Sequence, residues 1–173
     1  MRVSLGPDWT ESGSGSILEE LKWAMKINSQ LWASTISPRE LVEFVTCNAA
    51  AALGMEDEVG RIAPGYDADL VVVPQGIGSV YKSLLHASPK DVMLTVVGGR
   101  PLYGDAEVMA RFPFLAATES VAVNGVAKTL AISIPSSGIE GAGDSYAAMN
   151  AACKAEYAAA LPHVAAYLPA FGQ

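Results

Sequence analysis

The amino-acid sequence predicts an α+β fold, and three observations carry that prediction. Apolar residues recur at helical spacing between residues 16 and 53. From Val59 onward the pattern changes to short β-branched runs broken by glycine and proline. An alanine-rich segment then closes the chain. Helices grouped apart from strands suit α+β rather than the alternation of a parallel βαβ fold.

The elements follow in order. Residues 2–6 read as a short strand ending at Gly6-Pro7, with a glycine- and serine-containing stretch after it. Ser16 and Glu19 have capping-box spacing and open a helix whose inner face carries Leu18, Leu21 and Met25, with Leu31 or Trp32 as its last member. Ser37, Pro38 and Glu40 start a second helix, which runs through Leu41, Phe44, Val45 and the alanines at 49–52 to a stop at Gly54. Residues 59–65 look like a strand entering a turn. Asp67 and Asp69 lead into a buried strand over 70–73, with a loop and short helix over 75–90. A strand over 91–97 turns at Gly98-Gly99 and returns over 101–104 as a hairpin. Residues 120–126 and 128–134 read as two more strands. The last helix starts near Asp144 or Ser145 and is stopped by Pro162.

Composition bounds the function. The chain has 173 residues, 51% of them hydrophobic and 17% charged, enough for a packed core. A net charge of −7 with scattered Lys and Arg disfavours a nucleic-acid or membrane-surface partner. Cys47 and Cys153 form no metal-type pair and are expected to be buried thiols in a reducing, cytoplasmic setting. The first residues are too short for a signal peptide, and no apolar run reaches membrane-spanning length.

Four motifs resemble the amidohydrolase superfamily. Residues 3–9 with the helix through Leu18 to Lys22 resemble that family's last barrel strand and helix. Thr46 to Gly54 resembles its T-x-N-A-A-x-x-L-G helix. Gly60 to Val72 resembles its G-x-I-x-x-G-x-x-A-D-L-V-V segment, and Asp91 to Pro101 the strand and hairpin that follow. The general neighbourhood is that of cytosine deaminases, chlorohydrolases and imidazolonepropionases. The resemblance implies that residues 1–54 are the C-terminal end of a (β/α)8 TIM barrel, 55–135 part of a small β-sandwich, and 136–173 a helical segment. It also implies a hydrolase of C–N bonds in a small-molecule substrate, using zinc or another divalent metal to activate water.

Asp8 matches the family's aspartate at the end of the last barrel strand, which contacts the metal and moves protons. Trp9, Thr10 and Ser12 follow it and are candidate substrate contacts. The family's H-x-H pair, its bridging Lys or Glu and its two later histidines are absent from this sequence. His86 and His163 stand outside any matching motif and read as structural. Asp67 and Asp69 read as turn residues, and the glycines at 138, 141 and 143 as loop glycines. The expectation is therefore the C-terminal part of an amidohydrolase, inactive as a metallohydrolase by itself. The alternatives are a non-catalytic scaffold, homo-oligomeric through exposed strand edges, and an enzyme with a new site at a subunit interface using Asp8 and Glu11.

Overall fold

The computed structural model describes residues 2–8, 14–76, 78–115, 117–132 and 145–165. Three helices come first: α1 (Ile17–Leu31), α2 (Pro38–Phe44) and α3 (Cys47–Ala52). They are followed by β1 (Leu70–Val72), α4 (Val80–His86), a 3-10 turn at Pro89–Asp91, β2 (Leu94–Val97), β3 (Arg100–Asp105), α5 (Ala106–Met109), β4 (Glu119–Val123), β5 (Val126–Leu130) and α6 (Tyr146–Ala165). The strands form one antiparallel sheet in the order β1-β2-β3-β5-β4. The mixed helix and antiparallel-sheet class agrees with the sequence reading.

The helical layer is built on leucine. Leu21, Leu41 and Leu85, each 1% exposed, meet at the junction of α1, α2 and α4, with Met25, Ile36 and Phe44 packed around them. Burying each such side chain stabilises the fold by about 1.5–3 kcal/mol. One turn earlier on α1, Leu18 joins Ala87 and Val92 and links the helices to the sheet through Val73 and Tyr103. Asn28 closes the α1–α2 loop. Its buried amide donates to the Ile36 carbonyl at 2.8 Å and accepts from the Ile36 N–H at 3.1 Å. The Ser37–Glu40 capping box is complete. At Ser16 the reciprocal contact goes elsewhere, because Glu19 accepts from the N–H of Gly15 instead.

Several expected features differ. Residues 2–6 have no regular secondary structure and pair with no strand among the described residues. The helix expected over 37–53 breaks at Val45–Thr46, where Thr46 takes φ −124 and ψ −103. Residues 59–65 form bends and turns, with positive φ at Gly60 and Gly65. β1 is an edge strand, so Val71 and Val72 are exposed rather than buried. Leu31 and Trp32 are exposed because the helix face has turned away from the core by then. β2 starts three residues later than expected, since Ser88 and Asp91 fold the preceding residues into a 3-10 turn. The last hairpin turns at Asn124-Gly125, both at positive φ, so β4 ends at Val123 and β5 runs Val126–Leu130. α6 continues through Pro162 to Ala165. Ser145 caps it, accepting from the Ala148 N–H at 3.0 Å, while Asp144 lies outside the described residues. Cys47 is half-buried and Cys153 exposed, which corrects the expectation of two buried thiols.

Candidate functional site

Asp8 is exposed at the end of the irregular segment 2–8. Two hydrogen bonds hold that segment. The Leu5 N–H donates to the Phe44 carbonyl at 3.1 Å, and the Asn48 side-chain amide donates to the Val3 carbonyl at 3.0 Å. The segment thus lies against the end of α2 and the start of α3. Val3 and Leu5 are half-buried while Arg2, Ser4 and Gly6 are exposed. Among the described residues this strand-like sequence pairs with no strand; a helix-end carbonyl and a side-chain amide meet it instead.

Trp9, Thr10, Glu11 and Ser12 lie outside the described residues, as do the glycines at 138, 141 and 143. The chain resumes at Ser14, whose buried hydroxyl donates to Glu20. Glu19 accepts from the Gly15 N–H at 2.7 Å. Both carboxylates of the first turn of α1 are thus engaged in shaping its entry, where negative charge also suits the helix dipole. Beside them Lys26 stands 4.5 Å from the centre of the Trp23 ring, at the rim of a cleft of about 270 Å³.

Asp67 and Asp69 shape a turn. Asp69 accepts from the Gly98 N–H at 2.7 Å and its own N–H donates to the Asp67 carbonyl at 2.9 Å, so this pair shapes the entry to β1. His86 is exposed at the end of α4, between two clefts of about 510 and 380 Å³ that also share Lys82. Nearby, the Ser88 hydroxyl and N–H hold the Asp91 carboxyl below its ordinary range. Burial, helped by Asp105, pushes the Tyr103 hydroxyl upward. Sequence reasoning missed the buried Lys128, 1% exposed, which pairs with Asp105 and donates to the Val92 carbonyl at 2.8 Å. It also missed the contact between Asn48 and Val3, although Asn48 stands in one of the quoted motifs.

Among the described residues no three His, Cys, Asp or Glu side chains gather as metal ligands. Asp8 supplies one carboxylate where a zinc site takes three or four protein ligands. The described residues by themselves do not make up a complete metal site.

Comparison with known proteins adds the context. A profile of the amidohydrolase family matches residues 1–128. A 5-methylthioadenosine/S-adenosylhomocysteine deaminase of Symbiobacterium thermophilum is 33% identical over 87 residues, covering 42% of this chain and 20% of that protein. The enzyme of the same name from Thermodesulfovibrio yellowstonii is 27% identical over 124 residues, 62% of this chain and 28% of that one. A crystal structure of an adenosine deaminase from Xanthomonas campestris with bound zinc aligns with a TM-score of 0.45 at 26% identity, over 49% of this chain and 21% of that chain. The chain thus spans only 20% to 28% of the length of these curated relatives.

Proposed function

This chain belongs to the amidohydrolase family, and from that premise we propose that it contributes the Asp8-bearing part of a metal-dependent hydrolase that releases amine from a small molecule. In this reading residues 1–54 form the C-terminal end of the barrel, 55–135 part of the small β-sandwich, and 136–173 an appended helical segment. The observation that carries the proposal is the family match over residues 1–128, which includes Asp8 and all four motifs. The names of the relatives support an adenosine-type nucleoside as the substrate class, with its amino group released by hydrolysis.

A divalent metal in the complete site would lower the pKa of bound water and so supply the nucleophile. Asp8 is the carboxylate this chain offers there, on a segment oriented by α2 and α3. Trp9, Thr10 and Ser12 follow it as substrate contacts. Without the other ligands the chain is inactive as a metallohydrolase.

The test is a chimera in which residues 1–128 replace the matching stretch of the Symbiobacterium thermophilum relative. The chimera is expected to release ammonia from 5-methylthioadenosine. Asp8→Ala is expected to lower that rate by about 100-fold or more, as for loss of a proton-transfer group. A zinc-loaded chimera that turns over equally well with Asp8→Ala would refute the role of Asp8. The isolated chain, purified without chelator, should carry no stoichiometric metal. About one zinc per chain, lost in Asp8→Ala, would overturn the reading of an incomplete site.

A homo-oligomeric scaffold is the second reading, favoured by the exposure of Val71 and Val72 on the edge strand β1. Sedimentation at rising concentration tests it, and a constant monomer mass would sink it.

A further inference from the structure

We propose that Asn48 is a positioning residue for Asp8. The inference rests on the reading of Asp8 as the functional carboxylate and deepens it. Among the described residues, 2–8 pair with no strand of the sheet, and they are held by Leu5 N–H to Phe44 C=O at 3.1 Å and Asn48 Nδ2 to Val3 C=O at 3.0 Å. The two bonds act two residues apart, so together they fix how the segment lies against the end of α2 and the start of α3. Asp8 follows Leu5 by three residues, with Gly6 and Pro7 between. Pro7 fixes its own φ near −65° and biases Gly6 toward extended backbone, which carries the direction set at residues 3 and 5 forward to Asp8.

The other end of the strap is equally defined. Asn48 stands in the first turn of α3, and Ala50 two residues on is buried against Gly60, where an added Cβ would lie 2.8 Å from the Ala50 Cβ. The break between α2 and α3 at Val45–Thr46 turns the chain so that the Phe44 carbonyl and the Asn48 amide both reach the same segment. One continuous helix would engage Phe44 C=O at position 48 of its own backbone and deny it to Leu5. The helix break that the sequence did not announce is thus what builds the seat for residues 3–5.

The experiment uses the whole 173-residue chain, isotope-labelled, with no metal present. Amide exchange at Leu5 and backbone order parameters at Gly6 and Asp8 are compared in wild type, Asn48→Ala and the isosteric Asn48→Asp, which has no donor to offer Val3. Both variants are expected to speed Leu5 exchange about 5- to 10-fold, the loss of one ordinary hydrogen bond. Order at Asp8 should fall while the Leu41 amide in α2 stays protected. Asn48→Gln, which keeps the donor, should recover part of the protection. Unchanged Leu5 exchange in both donor-less variants would overturn the proposal. Equal loss of protection at Leu5 and at Ala51 and Ala52 would overturn it too, by showing that Asn48 merely stabilises α3. Because no metal or turnover enters these readouts, they fail independently of the chimera test. A strap that holds beside an Asp8→Ala chimera of full activity would leave Asn48 ordering a segment without catalytic use, and that outcome also overturns a positioning role.

Discussion

Replacing Lys128 with methionine is expected to destabilise the protein by about 2–3 kcal/mol, although the two side chains have similar shape. The wild-type ammonium is 1% exposed, donates to the Val92 carbonyl at 2.8 Å and pairs with Asp105. Methionine keeps the apolar stem in contact with its surroundings but offers no donor. The Val92 carbonyl then loses a charged hydrogen-bond donor, worth about 1.5–3 kcal/mol. Breaking a fully buried ion pair costs about 3–5 kcal/mol, but the Asp105 side chain is 32% exposed and water compensates part of its loss. These considerations place the expected effect at the lower end. The assay is urea unfolding of Lys128→Met, Asp105→Asn and the double variant. The double variant should be less destabilised than the sum of the two single changes by about 1 kcal/mol, since neither then abandons a charged partner. Strict additivity, or a Lys128→Met variant within about 0.5 kcal/mol of wild type, would refute the reasoning.

Two further outcomes follow from backbone and proton geometry. Gly60→Ala is expected to cost about 2–4 kcal/mol, because φ is +88° and the new Cβ would lie 2.8 Å from Ala50 Cβ and 3.0 Å from Cys47 Cα. Gly54→Ala, at φ +71° with nothing within 4 Å, isolates the backbone contribution and should cost about 1 kcal/mol; equal losses in urea midpoint would contradict the close-packing account. Ser88→Ala should raise the Asp91 pKa, since the Ser88 hydroxyl is the largest cause of its depression. A depressed folded-state pKa means that this contribution is present above the unfolded value of about 4 and lost as pH falls through the folded one. The stability gap between wild type and Ser88→Ala should therefore narrow in acid. A carboxyl titration of Asp91 that does not move in the variant would count against the contact.

Local sequence determined those features whose causes lie within a few residues. Serine caps at positions 16 and 37, the leucines at 18, 21 and 41, and the Gly98-Gly99 turn each place acceptors, apolar faces or positive φ where one helix start or hairpin needs them. The family motifs were equally legible as strings of residues. Other features depended on partners far along the chain. Segment 2–8 has a strand's composition, but whether it becomes a strand depends on which backbone groups meet it, and here they belong to Phe44 and Asn48. The run at 70–72 is apolar enough for a buried strand, yet its place at the sheet edge leaves it exposed. Lys128 reads as a surface residue on β5 until Asp105 and the Val92 carbonyl, the latter 36 positions away, close around its ammonium. Local propensity sets what an element can be. Burial and hydrogen-bond satisfaction, which are decided by residues distant in sequence, set what it becomes.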